Sequence, residues 1–359
     1  MARPNRAALD LAALHHNLGH ARQLAPRSRL MAVVKANAYG HGALAIARAL
    51  EPGVDALAVA SIEEAVALRE GGIEAPVLLL QGVFEAAELA IAAQLNFWVT
   101  VDGERQLRWL EQANLPRPLR CWLKLDTGMH RLGASPELAR GYYQRLQASA
   151  NADSGIVLCT HFASADDLDS DQTRRQIETF DRLCQTLPGE RSAANSPGLL
   201  AWPQAHYDWV RPGYMLYGNS PFNADHPNAA ALRPVMTLSS AIISIREVAV
   251  GDSVGYGATW TAQRRSRIAT VTIGYGDGYP RLAANGTPVL IKGRRAPLAG
   301  RVSMDMITVD VTDLPEVQVG DRVVLWGKGL PVSEVARHAA TIGYELTTRM
   351  PARIPRIVV

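Results

Sequence analysis

The sequence predicts an α/β protein in which a (β/α)8 TIM barrel precedes a C-terminal, mainly β domain. Between residues 29 and 218, eight short apolar runs alternate with segments of helical periodicity, which is typical of repeated βα units. After residue 232, glycine, proline and aspartate turns separate β-like segments. A chain of 359 residues also exceeds the usual size of one hydrophobic core. We therefore predict a barrel over residues 1–232 and a β domain over residues 233–359.

The eight runs supply the predicted barrel strands. They are RLMAVVK, DALAVAS, PVLLLQG, FWVTV, RCWLKLD, IVLCTHF, RSAANS and WVRPGYMLYG. A helix is predicted before the first run, with Asp10 as its N-cap and an apolar stripe of Leu11, Leu14 and Leu18. Eight strands, each but the last followed by a helix, favour a closed barrel over an open doubly wound sheet. The glycine fingerprint of a dinucleotide-binding fold is also missing after the first run, where ANAYGHG stands instead.

The β domain is predicted from four later segments, SRIATVTIGYGDGYP, TPVLIKG, MITVDVTD and DRVVLWG. Composition limits the partners. The net charge is +3 without a basic block, so we expect small molecules or protein as partners and no nucleic acid. Three cysteines without CxxC spacing argue against disulfides and a structural zinc site, and no metal is predicted. We find no secretory segment and no apolar run of membrane-spanning length, which predicts a cytoplasmic protein without a membrane partner.

Lys35 is the residue that first indicates chemistry. The chain has four lysines among 37 basic residues, so arginine is its usual source of positive charge. Lys35 ends an apolar run, and burial of its stem would lower its pKa toward the neutral amine that Schiff-base chemistry requires. The C-terminal ends of barrel strands converge on one mouth. The polar residues found at those ends are Lys35, Lys124 with nearby Arg131, His161, Ser196 and Arg211.

Each of these residues has an ordinary structural explanation when taken alone. A strand-end lysine commonly extends to solvent, and a lone histidine is commonly a hydrogen-bonded core residue. Arginines at such positions are commonly rim ion-pair partners, and serine and glycine are common in turns. Their joint placement favours a site. Barrels often bind phosphate after strands seven and eight, where Ser196 of NSPG and the backbone of Gly213 of RPGY stand.

The motifs together resemble the alanine racemase family. AVVKANAYGHG is similar to that family's pyridoxal-phosphate attachment motif. The similarity continues, in the family's order, through LKLDTGMHRLG, THFASAD, NSPG, WVRPGYMLYG, VGYGATW, GYGDGYPR and GRVSMDM. The resemblance implies an isomerase that interconverts L-alanine and D-alanine with pyridoxal 5'-phosphate as cofactor. It also implies a homodimer with shared active sites.

The resemblance further implies a role for each matching residue. Lys35 would form the Schiff base with the cofactor, and Tyr39, Ser196, Gly213 and Tyr344 would contact it, the last three at its phosphate. Arg211 would approach the pyridine nitrogen and Arg131 the phenolic oxygen. Tyr256 of the partner subunit would be the second base, with the backbone of Met304 at the substrate carboxylate and Tyr275 at the entrance. The list of implied site residues is Lys35, Tyr39, Lys124, Arg131, His161, Ser196, Arg211, Gly213, Tyr256, Tyr275, Met304 and Tyr344.

Racemisation explains why two bases are needed. A proton must leave the α-carbon on one side and return on the other, so Lys35 and Tyr256 would serve one face each. A free phenol titrates near pH 10. Tyr256 therefore needs neighbours that favour its anion, and a chain of donors from His161 to Arg211 is a candidate. Because Arg211 stays protonated, it cannot readily give the pyridine nitrogen a proton. The cofactor ring is then a weaker electron sink, which limits transamination as a side reaction.

Two questions remain open from the sequence. Lys124 matches a lysine that is often carbamylated in the family, but a direct pair with Asp126 or another carboxylate is equally compatible with its position. A broad-specificity amino-acid racemase is an alternative to an alanine racemase. A cofactor carrier would need no β domain with Tyr256, and a decarboxylase on this barrel would place a carboxylate where Arg211 stands. Neither a biosynthetic role in cell-wall precursor supply nor a catabolic role is favoured.

Overall fold

A computed structural model describes residues 3–359 and confirms a closed parallel barrel followed by a mainly β region. The strands before and within the barrel are β1 (Arg6–Leu9), β2 (Arg29–Val33), β3 (Ala56–Val59), β4 (Val77–Leu79), β5 (Phe97–Val101), β6 (Cys121–Lys124), β7 (Val157–Cys159), β8 (Glu190–Ser192) and β9 (Trp209–Val210). Strands β2 to β9 pair in chain order, and β9 pairs with β2 to close the barrel. All eight predicted runs contribute one strand each.

The helices follow the predicted alternation. They are α1 (Leu11–Leu24), α2 (Lys35–Tyr39), α3 (Ala43–Leu50), α4 (Ile62–Glu70), α5 (Glu88–Leu95), α6 (Glu104–Gln112), α7 (Pro136–Ala148), α8 (Gln172–Cys184), α9 (Ser196–Ala201), α10 (Pro227–Ala230), α11 (Val332–His338) and α12 (Gly343–Thr348). Asp10 caps α1 as predicted, since its carboxylate accepts a hydrogen bond from the Ala13 amide at 2.8 Å. None of the helices within residues 3–359 combines the length and apolar character needed to cross a bilayer.

The last barrel strand is much shorter than the run WVRPGYMLYG predicted. Strand β9 contains two residues, because Pro212 has no N–H to donate to a neighbouring strand. The chain then forms a 3₁₀ turn over Tyr214–Tyr217. This early end of β9 places the Gly213 backbone at the mouth of the barrel.

Apolar side chains fill both faces of the barrel strands, which explains why the strands read as continuous hydrophobic runs. The inner core includes Val33, Leu78 and Val157. Toward the amino ends of the strands the barrel is filled by three tryptophans that contact one another, Trp98, Trp122 and Trp209. The cavity described below lies at the opposite, carboxyl ends of the strands, with Trp122 among its lining residues.

The remaining strands form the predicted β region. They are β10 (Met236–Val248), β11 (Ser253–Val254), β12 (Trp260–Thr261), β13 (Ser266–Val271), β14 (Pro288–Ile291), β15 (Arg294–Pro297), β16 (Ile307–Asp310), β17 (Arg322–Trp326) and β18 (Arg356–Val358). The main sheet has the order β15-β14-β17-β10-β1-β18, with β13 paired to β10 and β16 paired to β13. The N-terminal strand β1 thus lies in this sheet. The boundary after residue 232 stays a prediction.

Candidate active site

A cavity of about 730 Å³ opens at the carboxyl ends of the barrel strands. Nine of the predicted site residues line it: Lys35, Tyr39, Lys124, Arg131, His161, Ser196, Arg211, Gly213 and Tyr344. They come from strand ends, from α2 and α12 and from connecting loops, so the fold brings together residues up to 309 positions apart, from 35 to 344. The other three, Tyr256, Tyr275 and Met304, do not line the cavity of their own chain.

Lys35 is the first residue of α2, and Val34 alone separates it from the end of β2. Burial lowers the pKa of its amine, and the nearby Arg131 guanidinium lowers it further, while Glu64 acts in the opposite direction. The backbone after Lys35 is unusual, since Ala36, Asn37 and Ala38 have φ between +52° and +54°. This left-handed turn carries Lys35 at one end and Tyr39 at the other.

Hydroxyl groups converge on one side of the cavity. The Ser196 hydroxyl accepts hydrogen bonds from the amides of Gly213 at 3.0 Å and Met215 at 3.2 Å. A Cβ atom at Gly213 would lie 2.7 Å from the Tyr39 hydroxyl, so only glycine lets the two groups approach. Burial raises the pKa of Tyr39 to about 12, which keeps its phenol protonated as a donor.

Tyr344 completes this side of the cavity. Its ring stacks on Tyr214, with ring centroids 3.5 Å apart, which fixes its orientation. The hydroxyls of Tyr39 and Tyr344 donate no hydrogen bond to any atom of residues 3–359. The hydroxyls of Tyr39, Ser196 and Tyr344, beside the Gly213 backbone, form a compact set of neutral hydrogen-bonding groups, and this chemistry fits a phosphate group.

Arg211 is buried at the end of β9. Its two terminal nitrogens donate to the Ser192 hydroxyl and to the carbonyl oxygens of Thr160 and Ala193. Burial lowers the pKa of the guanidinium, but arginine remains charged in proteins. Its Nε atom donates to nothing among residues 3–359. That N–H, together with the second hydrogen of the nitrogen that donates to Ser192, is available to a ring nitrogen in the cavity.

His161 lies at the end of β7 and lines the same cavity. Burial lowers its pKa well below the usual value, and the cations Arg211 and Lys124 act in the same direction. The imidazole is therefore neutral. Within residues 3–359, no hydrogen bond joins it to Arg211, whose bonded donors go to Ser192, Thr160 and Ala193. The predicted chain of donors from His161 to Arg211 is not formed in the single chain.

Lys124 points into the barrel together with Trp122, as the alternation along β6 predicts. Burial lowers the pKa of its amine, with Arg211 and Arg131 acting in the same direction. No ion pair joins it to Asp126 in the described part of the chain. One Asp126 oxygen instead accepts hydrogen bonds from the backbone amides of residues 128, 129 and 130. The direct pair with Asp126 left open by the sequence is therefore not present.

Asp102 is a cavity carboxylate that sequence reasoning missed. It follows β5, and the pairing of Val101 with Leu123 places it beside Lys124 on the next strand. Burial raises the pKa of Asp102, and Lys124 partly offsets that rise. Its sequence signal, an aspartate ending the run FWVTV, is of the same kind that identified Lys35 and Lys124.

The three remaining predicted residues lie on the surface of the β region. Tyr256, in a short turn between β11 and β12, is 70% exposed, and Tyr275 and Met304 are exposed as well. Hydrogen bonds join the two loops that carry Tyr275 and Met304, from Tyr275 N–H to the Ser303 carbonyl and from Gly276 N–H to the Met304 carbonyl. The Met304 N–H donates to nothing among residues 3–359. All three residues therefore lie on the surface of the β region, outside the cavity of their own chain.

Comparison with protein families gives two matches that together span most of the chain. The model "Alanine racemase, N-terminal domain" matches residues 9–221, and "Alanine racemase, C-terminal domain" matches residues 235–358. The chain belongs to the alanine racemase family. Similar family members include a catabolic alanine racemase of Pseudomonas putida, 53% identical over 99% of this chain and 98% of that protein. The biosynthetic alanine racemase of Escherichia coli K12 is 49% identical over 95% of both chains.

Solved structures of the family are also similar. The biosynthetic alanine racemase from Pseudomonas aeruginosa has a TM-score of 0.96 and 50% identity, with 99% of each chain covered. The alanine racemase from Bartonella henselae, solved with covalently bound pyridoxal phosphate, has a TM-score of 0.91 and 32% identity over the whole of both chains. The predicted family is confirmed. Because biosynthetic and catabolic members are both similar, family membership leaves the physiological direction open.

Proposed function

We propose that Lys35 and Tyr256 are the two acid/base groups of this alanine racemase family member, and that Tyr256 acts in the cavity of a second copy of the chain. The reaction itself is the interconversion of L-alanine and D-alanine, and the cofactor is pyridoxal phosphate. The observation that carries the proposal is that the predicted site residues lie in two separate places. The cavity holds the lysine and the phosphate-type donors, while Tyr256 is presented outward on the β region.

The cavity residues would hold the cofactor as their chemistry suggests. Lys35 would attach it, and Tyr39, Ser196, Gly213 and Tyr344 would bind its phosphate. The Arg211 N–H would face the pyridine nitrogen, with Arg131 at the phenolic oxygen. Bound there, pyridoxal phosphate withdraws electrons from the α-carbon and acidifies its proton.

Proton transfer would then depend on this chain's own groups. Lys35 has a lowered pKa, so its amine can take up the α-proton on one face without first losing a tightly held proton. Tyr256 would return a proton on the opposite face. The cations at the cavity, Arg131 and Arg211 among them, favour the phenolate form of an approaching tyrosine. His161, neutral and buried, would orient groups beside Arg211.

Substrate binding needs a partner for the carboxylate of alanine. Arg131 lines the cavity with an exposed guanidinium, and the free Met304 N–H would add a second donor from the partner subunit. Tyr275, held in the loop next to Met304, would flank the entrance. These assignments make a homodimer with shared sites part of the proposal.

Subunit exchange tests the shared site. Lys35→Ala and Tyr256→Phe proteins should each be nearly inactive, because each lacks one of the two bases. In an equal mixture, half of the dimers are mixed, and each mixed dimer has one intact site of two, so about a quarter of wild-type activity should return. Two differently tagged Lys35→Ala preparations, mixed in the same way, are the control and should stay inactive. Mixtures of Lys35→Ala and Tyr256→Phe that remain inactive despite exchange would refute the shared site.

The substrate and the attachment residue can be tested separately. Racemisation of alanine, serine, lysine and arginine should show a strong preference for alanine, whereas a broad-specificity racemase would accept the longer side chains. Borohydride treatment of the loaded protein should leave the cofactor covalently on the Lys35 peptide. Attachment at another lysine would reject the assignment of Lys35.

We also propose carbamylation of Lys124 and a cytoplasmic location. Lys124 is an amine with a lowered pKa and no ion-pair partner in the described residues, which suits reaction with carbon dioxide. The product would be an anion able to orient Arg131. A carbamate carbon signal after equilibration with labelled bicarbonate should be lost in Lys124→Met.

The free Cys121, Cys159 and Cys184 support the proposed location in a reducing compartment, which cell fractionation would check.

A further inference from the structure

The turn behind Lys35 is held in a backbone conformation that its residues disfavour. Ala36, Asn37, Ala38 and Tyr39 are four consecutive left-handed residues with φ between +51° and +54°. A Cβ atom makes this conformation unfavourable, and it persists only where surrounding contacts enforce it. The contacts that enforce it therefore decide where the Lys35 amine lies.

Glu64 makes two of those contacts. One carboxylate oxygen accepts a hydrogen bond from the Ala36 N–H at 2.6 Å, and the other accepts one from the Ala60 N–H at 2.8 Å. Ala36 is the first residue after Lys35, and Ala60 is the first residue after β3. One side chain thus ties the ends of β2 and β3 together directly behind Lys35.

Ordinary helix capping does not explain this arrangement. Glu64 is the third residue of α4, and a glutamate there usually bonds the N-cap amide, which belongs to Ser61. Glu64 instead bonds the amide before the N-cap and a second amide 28 residues away in the sequence. Its charge also acts on Lys35, in opposition to Arg131.

We propose that Glu64 is a positioning residue that clamps the left-handed turn and so holds the Lys35 amine at the mouth of the barrel. The proposal rests on the proposed function, since it takes Lys35 to be the reactive lysine. Asn37 and His41 hold the far end of the turn, by bonds from the Ala43 amide to the Asn37 side chain and between the His41 ring and the Tyr39 carbonyl. Glu64 is the contact on the Lys35 side.

Two variants separate the effect of the two Glu64 hydrogen bonds, here called the tether, from the effect of its negative charge. Glu64→Asp keeps the negative charge but is one methylene too short to span both amides. Glu64→Gln removes the charge, and its amide group offers only one acceptor oxygen in place of two. Glu63→Gln is the matched control, because Glu63 is exposed on the same turn of α4 and neither of its carboxylate oxygens bonds Ala36 or Ala60. Circular dichroism of each purified variant confirms folding before the comparison.

Acylation of the cofactor-free protein gives a readout that does not depend on activity. Peptide mapping resolves all four lysines, and the exposed Lys292 and Lys328 serve as internal references. Glu64→Gln should shift the pH profile of Lys35 acylation to lower pH, because loss of an anion destabilises the ammonium. We expect Lys35 to react several-fold faster at pH 8, with Glu64→Asp close to wild type and the references unchanged.

Cofactor retention tests the tether. Glu64→Gln and Glu64→Asp should each lose pyridoxal phosphate about tenfold faster than wild type, the loss expected for a charge-assisted hydrogen bond, and Glu63→Gln should not. Wild-type retention in both Glu64 variants would overturn the proposal. Should Glu64→Gln fail to fold, Glu64→Asp alone decides. Full activity of Lys35→Ala would instead contradict the proposed function, so the two failures are distinguishable.

Discussion

Substitution of Gly213 by alanine is expected to weaken cofactor binding through one defined collision. The new Cβ would lie 2.7 Å from the Tyr39 hydroxyl oxygen and 3.1 Å from the Tyr39 Cζ atom, whereas ordinary contact begins at 3.4 Å. The phenol must therefore withdraw by about 0.7 Å. Overpacking of this kind costs about 1–3 kcal/mol, which corresponds to roughly 5- to 150-fold in affinity.

Titration of the cofactor-free protein measures this effect. The apparent Kd for pyridoxal phosphate, followed by absorbance or by protein fluorescence, should rise about 5- to 150-fold in Gly213→Ala. Gly19→Ala is the control, since a Cβ at that position of α1 meets nothing within 4 Å. That control should leave the Kd unchanged and stabilise the fold by about 1 kcal/mol through helix propensity.

A second substitution tests the cause. Tyr39→Phe removes the hydroxyl oxygen and with it the shortest of the contacts, at the expense of one phosphate donor. The Gly213→Ala and Tyr39→Phe effects should therefore be less than additive when combined. Additive losses, or a wild-type Kd in Gly213→Ala, would refute the reasoning that Gly213 is required by the approach of Tyr39.

Three further results are expected. Burial lowers the pKa of His41 to about 4 from 6.5, so the unfolded chain binds a proton at a higher pH than the folded chain does. The free energy of unfolding should therefore fall by about 3 kcal/mol as the pH drops from 6.5 to 4. In His41→Gln, the free energy measured by urea unfolding should depend less on pH over this range. Asp277 is buried between Arg3 and Arg353, so Asp277→Asn should lower the free energy of unfolding by about 3 kcal/mol. Asp305→Asn, at an exposed site, should lower it by less than about 1 kcal/mol. Tyr344→Phe should weaken cofactor binding about fivefold at unchanged stability, and equal binding would remove Tyr344 from the phosphate set.

The position of Asp102 affects how Lys124 is understood. The sequence offers Asp126 as a carboxylate partner, but its oxygen is used by three loop amides. Asp102 faces Lys124 from the adjacent strand end without forming an ion pair within 4 Å in the described residues. Removing it in Asp102→Asn would lower the pKa of Lys124 further, because one attracting charge is lost.

Much of the site could be predicted because its signals are local. An apolar run that ends in Lys35, Lys124 or His161 identifies a strand and its polar end in a single stretch of sequence. Parallel strands of a barrel then place such ends at one mouth. The turn behind Lys35 could not be predicted in this way. Alanine gives no sign of a left-handed conformation, which arises here from contacts with Glu64 and other distant groups.

The sequence by itself determined the alternation of strands and helices, the β region after the barrel and the identity of the strand-end residues, since these depend on periodicity and on motifs read within a few turns of chain. Only the tertiary structure decided that Asp102 lies at the strand end beside Lys124, that Glu64 joins two strand ends and that β1 enters the C-terminal sheet. Those contacts join residues far apart in the chain. The first two exist because closure of the barrel places neighbouring strand ends within hydrogen-bond or electrostatic reach, and the third because β1 pairs with β10 and β18. No local pattern encodes those distances.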